Sequence, residues 1–480
     1  MLTPQSQDFN KWYNEVVLST DLAEYAPVKG CMIIKPYGYA IWENIQKILD
    51  TEIKKRGVKN VYFPLFIPER FLKREAEHVE GFAPQVAWVT HGGNKKLKER
   101  LAVRPTSEAI MGDAFKKWIR SYRDLPLKIN QWANIVRWEM RPRLFLRTLE
   151  FLWQEGHTVH ATEKEAGEMA KTALNMYQNF VQDYLGIYCI AGKKTESEKF
   201  AGADYTFSVE ALMQDSRALQ MGTSHQLGQN FAKSFGIQYL DKKGKKNYVW
   251  QTSWGVSTRM IGGLVMAHGD NKGLILPPKI APYQTIIIPI PPVGGQGWTN
   301  NKEKDKIKKY ISEIEKILSD KEIRFNTDWR QQTPGWKFND WELRGIPLRI
   351  EIGPKEVKER KVTCVLRDDS KKEIISFKQF EGQVKEFLEI FQERLLEKSK
   401  RFTQNHIYQV KSFSEFKEII ENKGGFIKAF WCSNDKCEKQ IQEETKATIR
   451  CIPLQLKSRV GKCIKCGQKS KIEVLFAKAY

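Results

Sequence analysis

The chain has 480 residues, 41% hydrophobic and 28% charged, with a formal net charge of +22. That length supports two or three domains with cores of their own, and no run of about 18 apolar residues marks a membrane span. The polar opening MLTPQSQDFNKWYNEV has no apolar signal core, which predicts a cytoplasmic protein; the basic excess favours a polyanionic partner without saying which.

Between Tyr37 and Lys54, the residues Ile41, Ile45, Ile48, Leu49 and Ile53 fall on one helical face. VYFPLFIP follows as an apolar strand interrupted by Pro64 and Pro68. LAVRPTSEAIMGDAFKKWIRSY reads as a strand, a polar turn and a helix starting near Thr106, with Thr106 or Ser107 as its N-cap. A second amphipathic helix is predicted from Glu163 to Tyr184, and YVWQTSWGVSTRMIGGLVMAHGD reads as a strand running into a glycine-containing helix. Around Leu276 the chain turns proline-rich, with a buried strand at Thr285–Ile290, and this marks a boundary. Beyond it, Ile307, Tyr310, Ile311, Ile314, Ile317 and Leu318 form a helical stripe. IPLRIEIGP and KVTCVLRD alternate as strands, and Val384, Phe387, Leu388, Phe391 and Leu395 form another helix. Strands alternating with helices over this length predict a compact α/β module. A charged stretch near Glu397–Arg401 leads to the cysteine-bearing end. The expected domains are therefore 1–280, 281–398 and 399–480.

The segment RWEMRPRLFLRTLEFLWQEGH, Arg137 to His157, mixes four arginines with two tryptophans and two phenylalanines. Arg137-x-Glu139, a basic loop at Pro142 and Arg147-x-x-x-Phe151 could form a hairpin that offers guanidiniums to phosphates and a ring face to a base. SWGVSTRMIGG adds Arg259 at a helix start, four residues after Gly255. At the far end, Cys432-x4-Cys437 and Cys463-x2-Cys466 have the spacing of a four-thiolate Zn²⁺ site, whose closed shell implies structure rather than catalysis. Cys31, Cys189, Cys364 and Cys451 are isolated and read as thiols of a reducing compartment.

Together, Arg137-x-Glu139, Arg147-x-x-x-Phe151 and Gly255-x-x-x-Arg259 resemble motifs 2 and 3 of class II aminoacyl-tRNA synthetases, and VKNVYFPLFIP resembles motif 1, their dimer-forming element. RPTSE, FLWQEGHT, GTSHQLGQNFAKSFGI, HGDNKGLILPP, GWKFNDWELRGIPLRIEIGP and the terminal FAKAY resemble the prolyl-tRNA synthetase family, over nearly the whole chain. Ser257 departs from the glycine that many class II enzymes have there. The roughly one hundred residues between Phe151 and Arg259 leave no room for the editing insertion of bacterial-type members, so the chain resembles the archaeal and eukaryotic-like type.

The resemblance implies an α+β protein: an antiparallel-sheet catalytic domain, an α/β anticodon-binding domain and a small α/β zinc-binding tail. It implies a homodimer that activates L-proline with ATP and transfers it to tRNA(Pro). By the same resemblance, Thr106, Glu108 and Arg137 hold the amino acid, while Trp153, Glu155, Phe200 and His225 wall its ring. ATP falls to Arg137, Glu139, Arg147, Thr148, Phe151, Gln220, Thr223, Ser257 and Arg259, with Arg137 and Arg259 in catalytic roles. Mg²⁺ accompanies ATP, with no protein ligand assigned. Glu342, Arg344, Arg349, Glu351 and Lys355 are the candidates for anticodon reading, with Trp336 and Trp341 available for stacking. Two rival readings are a threonine-specific synthetase, which would need a catalytic zinc cluster near residues 100–260, and a non-catalytic RNA-binding relative, which would lack the motif arginines.

Overall fold

The computed structural model describes residues 2–76, 86–138, 142–292, 301–455 and 459–480. Its spine is an eleven-stranded sheet. Seven of its strands belong to the first 260 residues and lie side by side as Cys189–Lys193, Tyr205–Leu212, Ala218–Gly228, Trp250–Ser257, Glu150–His160, Leu127–Val136 and Lys59–Asn60. All neighbours in this series pair antiparallel except the last, which runs parallel to Leu127–Val136. The helix Glu163–Asp183 crosses one face of it. Its buried residues, among them Ala166, Ala170, Ala173, Tyr177 and Val181, recur at helical spacing, and Thr162 with Glu165 closes its N-terminus in a reciprocal capping box. One sheet face is thus covered, which leaves the other available for a site.

The apolar strand expected over 61–68 is two short pieces, Lys59–Asn60 and Phe66–Pro68. Pro64 has no N–H to give a ladder, so the chain leaves one sheet and enters a three-stranded one with Lys95–Val103 and Trp88–Gly92. The fully buried Arg104 holds this crossing: its guanidinium donates to the Phe63 carbonyl at 2.8 Å and to the Asn134 carbonyl at 2.9 Å.

The α/β module has five strands in the order Phe325–Thr327, Thr285–Pro289, Leu348–Ile352, Lys361–Leu366 and Lys372–Ser376. The first three are parallel and the remaining pairings antiparallel. Helices Asn301–Asp320 and Phe377–Asn405 supply its apolar core. The charged stretch Glu397–Arg401 lies inside the second of these helices, because Leu395, Ser399 and Thr403 continue the buried stripe through it.

The tail has one small sheet of its own, in which Gly461–Lys462 pairs with Lys469–Ser470. Its other strands, Ile407–Gln409, Phe426–Trp431, Ile472–Ala477 and Thr448–Pro453, extend the catalytic sheet, joined where Ile452 and Pro453 pair with Lys193 and Gly192. A Cβ at Gly192 would lie 2.6 Å from the Cys451 side chain, so glycine permits the close approach. Leu212, Ala218, Phe426, Cys451, Leu475 and Ala477 form an apolar core across the junction. Beside it, the buried Glu210 carboxylate accepts from Lys194 Nζ at 2.9 Å and from two nitrogens of Arg450 at 3.0 Å. Among the described residues no helix is long and apolar enough to cross a membrane.

Candidate active site

Strand alternation builds the site. Along Glu150–His160, Gln154 faces the covering helix, where its Oε1 accepts from the Tyr177 hydroxyl at 2.5 Å. Phe151, Trp153, Glu155 and His157 therefore face the other way. Register places them in rows: Thr223, Gly255, Glu155 and Gln131 lie abreast across four strands, and His225, Ser253 and His157 across three. Above these rows is a cavity of about 950 Å³, large enough for a nucleotide and a small second substrate. Thirteen of the expected residues line it: Thr106, Glu108, Arg137, Arg147, Phe151, Trp153, Glu155, Phe200, Gln220, Thr223, His225, Ser257 and Arg259. Thr148 is buried beside it, and its hydroxyl donates to the Glu150 carbonyl at 2.7 Å. Glu139 lies outside the described residues.

The two ends of the cavity differ in chemistry. At one, Arg137 donates from Nε to the Pro105 carbonyl at 3.1 Å, with its Cζ 5.8 Å from the ring centroids of both Phe151 and Trp153. Those rings stand perpendicular, 6.5 Å apart. Arg259 opens the helix Arg259–His268, donating from Nε to the Leu146 carbonyl at 3.2 Å. Burial, then the neighbouring Arg147 and Arg137, lower its pKa to about 10. Three guanidiniums in one partly dehydrated space oppose one another, and a polyphosphate relieves that opposition.

At the other end, the Thr106 hydroxyl donates to the Glu108 carboxylate. The Phe200 and His225 rings lie 4.7 Å apart at 34°, and His225 Nδ1 is 2.9 Å from the Thr206 hydroxyl. Burial pushes His225 down to about 4, so it is a neutral wall at physiological pH. The Trp153 indole nitrogen and the Ser253 hydroxyl are buried without a hydrogen-bond partner among the described residues. A carboxylate and a hydroxyl against apolar rings suit a small cation with an aliphatic body.

Sequence reasoning did not find Ser107, Gln131, His157 and Ser253. His157 was accessible through the period of two that links it to Phe151, Trp153 and Glu155. Of the two N-cap candidates, Thr106 and Ser107, Ser107 takes the position, but its side chain makes no capping bond and donates instead to Glu155 at 2.6 Å.

The anticodon candidates divide. Glu342 binds Lys272 at 2.9 Å, and Arg344 binds Asp21 at 2.7 Å, so both bridge to the catalytic unit. Arg349 pairs with Glu351 at 3.0 Å, and Glu351 with Lys372 at 2.7 Å, leaving these three on one patch of the module. Lys355 is exposed on the short helix Pro354–Glu359. Trp336 is 45% exposed beneath Arg330, whereas Trp341 is buried and donates to Asp328 at 2.9 Å.

In the tail, the Cys432, Cys437, Cys463 and Cys466 sulfurs all lie within 4.8 Å of one another, and Cys432 and Cys466 are 3.7 Å apart. A tetrahedron with metal–sulfur bonds of about 2.3 Å has edges of about 3.8 Å, so this set fits Zn²⁺. All eight cysteines are free thiols.

An antiparallel sheet carrying an arginine-lined cavity on its open face, with Arg259 at the following helix, defines a class II aminoacyl-tRNA synthetase. Residues 88–268 match the family described as tRNA synthetase class II core domain (G, H, P, S and T), and residues 284–387 the Anticodon binding domain family. Residues 413–480 match the family Prolyl-tRNA synthetase, C-terminal. The proline–tRNA ligases of Natranaerobius thermophilus and Clostridium novyi are 50% and 49% identical to the chain, each alignment covering 100% of it and 98% of the relative. The crystal structure of prolyl-tRNA synthetase from Cryptosporidium parvum with halofuginone and AMPPNP superposes at a TM-score of 0.94 with 44% identity, covering 100% of this chain and 99% of that one. A second, with L-proline and AMP, gives 0.93 and 43%, covering 100% and 96%. The chain belongs to the prolyl-tRNA synthetase family.

Proposed function

We propose that this chain is a proline–tRNA ligase that forms prolyl-adenylate in the cavity and passes the prolyl group to the 3′ end of tRNA(Pro). The observation that carries this reading is a cavity with a tri-arginine, ring-bearing end and a carboxylate–hydroxyl, aromatic-walled end. Thr106 and Glu108 accept from the ring ammonium of proline, and Trp153, Glu155, Phe200 and His225 enclose the ring. Arg137, at the arginine-bearing end, serves both the proline carboxylate and the α-phosphate with one guanidinium. Phe151 stacks on the adenine. Arg147 and Arg259 neutralise the phosphates, and Glu139, Thr148, Gln220, Thr223 and Ser257 complete the nucleotide site. The carboxylate attacks the α-phosphorus and pyrophosphate leaves; the tRNA 3′-hydroxyl then attacks the acyl carbon and AMP leaves. Neither step needs a covalent enzyme intermediate, so positioning and charge neutralisation carry the rate.

Mg²⁺ accompanies ATP and offsets its phosphate charge. Zn²⁺ is held by Cys432, Cys437, Cys463 and Cys466 as a structural ion. Arg349, Glu351 and Lys355 serve anticodon reading on the module at 281–398, while Glu342 and Arg344 act from the domain junction. A cytoplasmic homodimer fits the exposed Tyr62 and Phe66 on the segment that resembles motif 1. The test is amino-acid-dependent exchange of pyrophosphate into ATP across all twenty amino acids: proline should support it strongly, and exchange with threonine but not proline would overturn the reading.

A further inference from the structure

Glu155 is 2% exposed, and its carboxylate is bound from three sides. Its Oε1 accepts from the Ser107 hydroxyl at 2.6 Å and from Gln131 Nε2 at 2.7 Å; its Oε2 lies 3.1 Å from His157 Nε2. Gln131 is fully buried, and its own Oε1 accepts from the Phe63 amide at 2.5 Å. That amide fixes the orientation of Gln131: turned over, the side chain would set an oxygen against Glu155 and an amino group against a donor. Phe63 is itself held on its other side, since its carbonyl accepts from the buried Arg104. Ser107, meanwhile, leaves its helix start without a side-chain cap, a substitution worth about 1 kcal/mol elsewhere. A local rule broken to hold one carboxylate points to function at that carboxylate.

We propose that Gln131 is a positioning residue for the amino-acid pocket: it clamps Glu155 against the sheet and ties the pocket wall to the 59–63 edge of the molecule. The proposal rests on the proline reading above. Three carboxylates line the same cavity, and the two buried ones, Glu108 and Glu155, could each take the substrate's ammonium, whereas Glu198 is partly open to solvent. With Oε1 occupied by two buried donors, Glu155 stays in the wall and Glu108 is left to receive the ammonium. A second buried chain starts from the same edge on the covered face of the sheet. Asn130 donates to Asn60 at 2.8 Å, Gln154 to Asn130 at 2.8 Å and Tyr177 to Gln154. The edge segment is thus wired to both faces of the catalytic sheet, and only the Gln131 chain ends in the cavity.

The decisive variant is Gln131→Glu, which keeps the shape and the acceptor for Phe63 but replaces the donor to Glu155 with an oxygen. Two facing carboxylates hold together only while they share a proton. In pyrophosphate exchange, its proline KM should approach the wild-type value near pH 6 and rise roughly tenfold or more above it by pH 8.5. Its ATP KM should stay within about twofold of wild type at both. Gln131→Met, which has no donor at any pH, should raise the proline KM roughly tenfold throughout, and should add nothing in a Glu155→Gln background. A proline KM within about twofold of wild type in folded Gln131→Met, or in folded Gln131→Glu at pH 8.5, would overturn the role, as would proline and ATP KM values rising together. Wild-type protein without proline-dependent exchange would instead overturn the reading on which the role rests.

Discussion

At the phosphate end of the cavity, Arg137 makes contact with the Pro105 carbonyl and lies near two ring faces, yet its assigned work is to receive two substrates. Arg137→Ala is expected to cost about 2–5 kcal/mol of transition-state binding, a slowing of exchange by roughly 30- to 5,000-fold; a folded variant with near-normal exchange would remove the residue from the mechanism. On the proposed reading, the amino-acid end discriminates largely by shape. Each missing methylene in such a pocket forfeits about 1–3 kcal/mol, so cysteine should be activated measurably and alanine more weakly. Cys-tRNA or Ala-tRNA bearing the proline anticodon should persist with the enzyme at its spontaneous rate of hydrolysis, and faster deacylation would reveal an editing site. The arginines, Phe151 and the ring-pocket residues were legible because they sit in short motifs at fixed spacing. Gln131 and Ser107 were not, because they act on Glu155 from 24 and 48 residues away. Neither residue type nor spacing announces such a bond; only the sheet register brings the partners together.

Among the elements, the long helices and central strands followed from their hydrophobic periods, with boundaries near those expected. The Glu163–Asp183 helix and the strand and helix meeting at Arg259 are examples. Two features were not legible. Charge at Glu397–Arg401, expected to lead into the tail with a boundary after residue 398, decorates the outer face of a continuing helix, since the buried Ser399 and Thr403 carry no hydrophobic signal. The tail is a domain with a core of its own, but that its strands also continue the catalytic sheet was not legible, because pairing as distant as Lys193 with Ile452 leaves no local trace. Its junction makes a testable prediction. Burial works to raise the Glu210 pKa, but Lys194 and Arg450 hold it below the ordinary value. A depressed carboxylate stabilises the fold fully above its unfolded value of about 4.3, and that contribution fades as pH falls through the folded one. Arg450→Met, with Lys194 still in place, should destabilise the protein by about 3 kcal/mol and move the midpoint of acid unfolding upward. An unchanged urea midpoint would show that the bridge is dispensable. In the tail itself, elemental analysis should find about one Zn²⁺ per chain, lost in Cys463→Ser, with exchange activity surviving better than tail structure. Metal-free protein with four freely reacting thiols would contradict this.

For the whole molecule, pH dependence should come from its histidines. Burial lowers His160, His225 and His268 to about 4 each, below the ordinary 6.5. Unfolded chains take up protons at these sites first, so the stability they contribute is complete above about pH 6.5 and declines toward pH 4. His157 runs the other way. Burial disfavours its charge, but the bond to Glu155 and the fields of Glu108 and Glu155 raise its pKa, and its contribution is lost only as pH rises through that value. Below about pH 6.5 the three lowered histidines should therefore dominate, each with a slope of up to about 1.4 kcal/mol per pH unit. Urea unfolding between pH 4.5 and 7.5 would check this, and a flat profile would contradict it. The formal charge of +22 and the paired junctions of the anticodon module with the catalytic unit, through Arg344–Asp21 and Lys272–Glu342, suit a molecule that holds a long RNA at two distant points. The most direct measurement is aminoacylation: purified protein, ATP, Mg²⁺, unfractionated tRNA and each labelled amino acid in turn. Proline should be esterified to the 3′ end of tRNAs whose anticodons read CCN and to no others; charging of a different tRNA set, or none despite proline-dependent pyrophosphate exchange, would contradict the account.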